Sequence, residues 1–315
     1  MPTRRLLVLP VVLALTLALL GGCARSPRIG ITPVKHATLD QMRRHLLAQP
    51  PDIEPFRLRG PFEVTVRENL PLQLASGERI AADLYLSSPA ERAPLVILAH
   101  GYNNSKADHA YHAMHLASWG MHSLALNLPN QGPWIENGET LARIVSLLRQ
   151  QPGLLDLRID PERIILAGHS FGGSAVVIAL ASGTPASGAV LLDPAGVSQT
   201  LPAYLKRVRA PVMVIGADWR LETTVDRDHF YAYIPSRVAD VSISDARHED
   251  AQFTMDAAEN RRESGETTSE RSQLTFASAL TASAFSLGFT GTLDYAWTSF
   301  GAAVRSGALF DAKRK

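Results

Sequence analysis

Residues 163–182, RIILAGHSFGGSAVVIALAS, decide the fold. They read as a buried strand, a sharp turn and a small-residue helix. Arg163 to Ala167 is a short apolar run of the kind that suits a strand covered on both faces. Ser174 to Ser182 is built from small and aliphatic residues that let a helix pack closely on a sheet. Between them, Gly168-His169-Ser170-Phe171-Gly172 fits the pattern G-x-S-x-G, and Gly173 follows. The pattern is common by chance, but here it stands where its mechanics require, between a strand and a helix. A turn this sharp strains the backbone of the residue at its apex, and small residues two positions to either side avoid a collision. Ser170 is therefore the candidate nucleophile.

Strand and helix signals alternate on both sides of this stretch. Phe62 to Arg67 and Arg79 to Leu86 are period-2 segments, expected to form an antiparallel pair. Continuous apolar runs follow at Leu95 to Ala99, Ser123 to Leu128, Ala189 to Leu192, Pro211 to Ile215 and Val238 to Ile243. Helical segments are expected near 107–119, 139–150, 172–182, 201–207 and 226–233. Buried strands alternating with helices imply a mostly parallel sheet of about eight strands with helices on both faces. Sites in such sheets lie at the carboxyl ends of strands. The motifs below all fall there.

On the strand–GHSFG–helix unit, the chain resembles the α/β-hydrolase superfamily from about residue 60 to 300. The resemblance implies a serine hydrolase that needs no cofactor. The loop His100-Gly101-Tyr102-Asn103-Asn104-Ser105 is similar to the oxyanion loop of lipases and of bacterial cutinases and polyester hydrolases. It implies that the Tyr102 amide is one oxyanion donor, with the Phe171 amide, next to Ser170, as the other. The late position of His248, just past the run Val238 to Ile243, is where this fold puts its catalytic histidine. Two carboxylates compete to orient it. Asp193, in Leu191-Leu192-Asp193-Pro194, resembles the triad acid of pancreatic-type lipases and chlorophyllases. Asp218, in Ile215-Gly216-Ala217-Asp218, resembles the cutinase segment but is off its register, since Trp219 and Arg220 stand where the acid falls. His229-Phe230-Tyr231 and Ile234-Pro235-Ser236 extend the cutinase likeness. Glu222 is a distant third choice, and the unused aspartate is expected to cap a loop or hold Arg220.

The remaining composition is restrictive. Among 315 residues, 46% are hydrophobic, too many for a disordered chain. Lys and Arg number 31 against 30 Asp and Glu, a formal charge of +1 that argues against a nucleic-acid partner. A single cysteine excludes a disulfide framework and a CxxC metal site. His109, His112 and His115 recur every three residues on an expected helix, but residues i and i+6 do not share a face, so no metal is expected. No phosphate-binding glycine loop is present.

The one cysteine, Cys23, closes the segment Leu20-Gly21-Gly22-Cys23, after Arg4, Arg5 and an apolar run from Leu6 to Leu20. That run is short for a bilayer span and suits a secretory signal. The segment resembles the lipobox of bacterial lipoproteins, which implies a signal peptide over 1–22 and acylation of Cys23. Ala24 implies an outer-membrane address in the Gram-negative pattern. Residues 23–58, with five prolines from Pro27 to Pro55, read as a lipidated tether with one short helix, Leu39 to Leu47. The hydrolase domain is then 59–315. Only Pro194 to Ala210 is available for a cap, so no large cap domain is expected. Tyr102, Phe171, Trp134 and Trp219 are the candidate walls of an open site. Glu259 to Arg271 reads as a charged loop, Ser272 to Leu287 as a helix on the sheet, and Phe289 to Lys315 as terminal helix packing.

The expected activity is hydrolysis of carboxylic esters through an acyl-enzyme on Ser170, with hydrophobic, aryl, lipid or polyester substrates in view. An acyltransferase with the same triad and a non-catalytic binding lipoprotein are the alternatives.

Overall fold

The structure, a computed structural model, describes residues 38–89, 91–130, 134–196, 198–219, 227–264 and 266–315. Signal-segment residues and Cys23 therefore lie outside the described residues, as do Arg220 and Glu222. The strands are β1 (Val64–Gln73), β2 (Arg79–Ser87), β3 (Ala93–Ala99), β4 (His122–Leu126), β5 (Ile159–His169), β6 (Gly188–Leu192), β7 (Val212–Ala217), β8 (Val238–Ile243) and β9 (Leu309–Arg314). They form one sheet in the order β1-β2-β4-β3-β5-β6-β7-β8-β9. Strands β3 to β8 run parallel, while β1, β2 and β9 are antiparallel to their neighbours.

The apolar runs are continuous because each face of the sheet has its own core. Leu95, Ile97 and Ala99 of β3 point into one, and Val96 and Leu98 into the other. The first core is closed by α3 (Trp134–Gln150), α4 (Phe171–Ala181), α5 (Leu201–Leu205) and α6 (Arg227–Tyr233). From Gly172 to Ala181, every residue of α4 is buried, so its small side chains let it lie against the centre of the sheet. The second core is closed mainly by α1 (Leu39–Ala48), α2 (Ala110–Ser118), α8 (Thr268–Thr290) and α9 (Asp294–Ser299), with α10 (Gly301–Arg305) after it.

Three expectations are corrected. First, residues 39–58 are part of the folded unit and not a tether. Thr38 caps α1 with a capping box, and Leu39, Met42 and Leu46 share its buried face. Ile53 and Phe56 continue the same core, and Phe56 lies 4.8 Å from the Trp119 ring. His115 Nε2 donates to Phe56 O at 2.8 Å and Trp119 Nε1 donates to Leu58 O at 3.0 Å. Second, the end of the chain is not all helix, because it adds an edge strand to the sheet of about eight that was expected, nine in all. Residues 309–314 form an edge strand on β8, where terminal helix packing was expected. Its pairing rests on backbone hydrogen bonds, and only Leu309 of it is fully buried, so it leaves little apolar pattern. Third, the charged stretch 259–271 is not one loop: α7 (Met255–Ser264) runs into it, and α8 starts at Thr268 under a Thr267–Glu270 capping box.

Between β6 and β7, among the described residues, only the short helix α5 intervenes, so no large cap covers this edge. No helix among the described residues is long and apolar enough to cross a membrane.

Candidate active site

Ser170 sits between β5 and α4 with φ 53° and ψ −124°, a backbone conformation that is costly for a residue with a side chain. The surrounding glycines are sterically required. A Cβ on Gly168 would lie 2.4 Å from Gly172 O, and one on Gly172 would lie 2.4 Å from Ala99 O and 2.5 Å from His100 O. The turn is thus wedged against the end of β3. The Ser170 N–H donates to Leu192 O at 3.1 Å, and its carbonyl accepts from Ala195 N at 3.1 Å, so it is stitched to the end of β6. That stitching places it beside Asp193, which follows Leu192.

Asp193 is itself in a left-handed conformation, φ 38°. Its Oδ2 accepts from His248 Nδ1 at 2.7 Å, and its Oδ1 accepts from Ala217 N at 2.9 Å. An ionised carboxylate can only accept, so the facing Nδ1 of His248 carries a proton, and in the neutral ring Nε2 is the acceptor. Burial works to raise the Asp193 carboxyl. The His248 hydrogen bond and charge, the Ala217 N–H and the Arg227 guanidinium outweigh it and hold the group below the usual carboxylate range. Asp218 does not meet His248. Its Oδ2 accepts from Asp245 N at 3.1 Å, and its own N–H donates to Ala246 O, so it caps the loop that leads to His248.

Two more histidines hold the surroundings. His100 Nε2 accepts from Leu128 N at 2.9 Å, so its Nδ1 donates to Gly101 O at 2.7 Å. That pair ties the loop after β3 to the loop after β4. Burial lowers the His100 pKa and so favours the neutral ring. His169 Nε2 donates to His248 O at 3.1 Å, with the two rings 4.6 Å apart. Its Nδ1 accepts from Gln252 Nε2 at 3.3 Å. Burial holds His169 well below the usual histidine range, so it acts as a neutral strut under the His248 backbone.

Tyr102 lies in the Gly101–Asn104 turn, closed by Asn104 N donating to Gly101 O at 3.3 Å, with Asn103 at φ 58°. The Phe171 amide opens α4 and has no partner within its helix, where the dipole favours negative charge. The Tyr102 and Phe171 rings are neighbours, 6.1 Å between centroids and tilted by 57°, and Tyr102 is 53% exposed. Trp219 is also exposed, with Arg247 over its ring at 5.9 Å. Trp134 is buried against Phe171 and His100, so it is a floor rather than a wall.

His109 and His112 are buried and touch through Nδ1 at 3.2 Å, while His115 turns to Phe56. Among the described residues, no three His, Cys, Asp or Glu side chains are gathered as a metal site needs. Sequence reasoning missed Arg227, whose guanidinium lies behind Asp193. An arginine at the start of a short helix carries no local mark of that position.

A six-stranded parallel core, a strained serine at a strand–helix turn and an Asp–His pair at the same edge define the class: an α/β hydrolase. The profile of the alpha/beta hydrolase family matches residues 96–306. The chain belongs to that family, and the matched span runs from β3 to α10, leaving α1, β1, β2 and β9 outside it. No curated protein sequence matches the chain.

Proposed function

We propose that this protein is a serine hydrolase of carboxylic esters. The observation that carries the reading is the 2.7 Å Asp193–His248 hydrogen bond at the strand edge where Ser170 is held strained. In the proposed cycle, His248 Nε2 takes the Ser170 proton as Oγ attacks the ester carbonyl. The Phe171 and Tyr102 amides receive the oxyanion. His248 then protonates the departing alcohol, leaving an acyl-enzyme on Ser170. A water deprotonated by His248 releases the acid and restores the serine. Asp193 keeps the imidazole in the productive tautomer throughout. No step calls for a cofactor.

The exposed Tyr102 and Trp219, with no large cap over the edge, favour an open cleft for a hydrophobic acyl or aryl ester. The sequence of residues 1–23 supports attachment of this enzyme to a membrane through acylated Cys23, facing the periplasm or the surface. Incorporation of labelled palmitate into wild type but not Cys23→Ser checks that part.

The main test is labelling by a fluorophosphonate together with hydrolysis of p-nitrophenyl esters from acetate to palmitate. Wild type is expected to be labelled and active, and Ser170→Ala to be neither. Equal inertness of both proteins on every ester and probe would sink the reading. Transfer to an added alcohol that outpaces hydrolysis would favour an acyltransferase with the same residues.

A further inference from the structure

On the side of Asp193 away from His248 lies a buried cation. Arg227, the first residue of α6, is 5% exposed. Its Nη1 donates to Ala217 O at 2.8 Å and its Nη2 donates to Ser242 Oγ at 2.6 Å. Nη1 is also 3.5 Å from Asp193 Oδ1. The guanidinium lies flat on β7 because residue 216 is glycine: a Cβ there would fall 1.5 Å from Nη1. One residue, Ala217, is therefore held at both of its backbone polar groups. The Ala217 N–H donates to Asp193 Oδ1, and the Ala217 carbonyl accepts from the arginine that stands beside the same oxygen.

Resting on the ester-hydrolase reading, we propose that Arg227 is a positioning residue for the Asp193–His248 pair. It holds the carbonyl of Ala217, whose N–H binds Asp193, and occupies the Oδ1 side of Asp193, so that Oδ2 is turned to His248. Unlike the imidazole, this counter-charge does not titrate during turnover, so Asp193 stays an acceptor whichever proton state His248 is in.

Among the described residues, the charges around the pair are few. Asp193 faces His248 and Arg227. Arg227 also faces Asp240, with Nε 3.9 Å from Oδ1, and Asp240 Oδ2 faces Lys313 of β9 at 3.2 Å. Lys313 in turn reaches Asp228 at 3.6 Å. His248 faces the ring of His169, which is neighboured by His109 at 5.9 Å. Burial raises the Asp240 carboxyl above its usual range, against the pull of Arg227 and Lys313 and with a push from Asp228. The two buried carboxylates around one guanidinium are thus shifted in opposite directions, the one bonded to His248 downwards and Asp240 upwards.

Replacing Arg227 alone strands two buried carboxylates beside one lysine and is expected to destabilise the fold. The decisive variant is therefore Arg227→Met combined with Asp240→Asn, which removes one charge of each sign. The primary readout is the NMR titration of the His248 imidazole, which needs no turnover. Loss of the nearby cation is expected to move that titration up by about 1 pH unit. In the ester assay, the acidic limb of kcat/KM moves up with it, and kcat falls about tenfold while KM changes little. Arg227→Lys keeps the charge without the fork, so its titration should stay near wild type while kcat still falls. A double variant whose His248 titration stays within about 0.2 pH unit of wild type would overturn the proposal, leaving Arg227 as a counter-ion for Asp240 alone. A shifted titration in a protein that hydrolyses no ester would instead keep Arg227 and remove the ester-hydrolase reading.

Discussion

Asp193→Asn separates the two carboxylates that compete for His248. The perturbation is nearly isosteric: the side-chain oxygen that accepts from Ala217 N–H can stay in place, and the group facing His248 Nδ1 changes from an anion to an amide. Two losses follow. With the hydrogen bond at 2.7 Å, the centres of the carboxylate and the transient imidazolium are about 4 Å apart, worth about 4 kcal/mol at an effective dielectric of about 20. That corresponds to about three powers of ten in rate. An amide also stabilises the wrong imidazole tautomer, and the two effects together bring the expected fall in kcat to about 10⁴. Asp218→Asn should leave activity within about threefold, since its carboxylate accepts one exposed loop amide worth about 1 kcal/mol. The assay is the initial rate of p-nitrophenyl butyrate hydrolysis, with far-UV circular dichroism to confirm folding. An Asp193→Asn enzyme within tenfold of wild type, or a large loss in Asp218→Asn instead, would refute the assignment.

Three further outcomes are expected. Residue 102 is the second position of a tight turn, where proline fits; Tyr102→Pro should cut kcat by about 10²–10³ by deleting one amide donor, while Tyr102→Ala should affect mainly KM, and equal effects in steady-state kinetics would argue against an amide role. Phe56→Ala empties a fully buried site beside Trp119, Phe285 and Tyr295 and should cost about 3–5 kcal/mol, lowering Tm by roughly 10 °C in a thermal melt, whereas a tether residue would leave Tm unchanged. The protein should lose stability in mild acid. Burial, with the charges of His115 and His169, pushes His112 down to about 3; burial takes His115 to about 4, and burial with the Arg158 charge takes His122 to about 4. All three titrate near 6.5 in the unfolded chain, so as pH falls from about 6.5 towards 4 the unfolded state binds more protons and each histidine withdraws roughly 1.4 kcal/mol per pH unit. A urea midpoint that is the same at about pH 7.5 and pH 5.5 would contradict that sign.

The features legible in the sequence are those set by neighbours along the chain. The turn around Ser170 is one: a Cβ on Gly168 would meet Gly172 O within the same turn, although Gly172 itself answers to Ala99 and His100 at the end of another strand. The parallel sheet is another, because strands buried on both faces must be apolar at every position, and Leu95 to Ala99 shows that pattern without help from its partners. The loop His100-Gly101-Tyr102 and the late histidine were legible for the same reason, as fixed chain positions at strand ends.

Other features depended on which segments meet. Asp193 and Asp218 close adjacent strands and look alike locally. Only the β6–β7 register, with Leu192 opposite Ile215, and the path of the loop after β8 decide that Asp193 meets His248 while Asp218 caps that loop. Residues 39–58 looked like a tether because what secures them is the cavity beside α2 and α8, which belongs to distant sequence. Strand β9 is held by backbone hydrogen bonds, which any residue but proline can donate, so its side chains need not announce it. Arg227 shares this origin. Its guanidinium reaches Asp193 only because Gly216, on the neighbouring strand, leaves a Cβ-sized gap, and a gap of that kind exists only once the chain has folded.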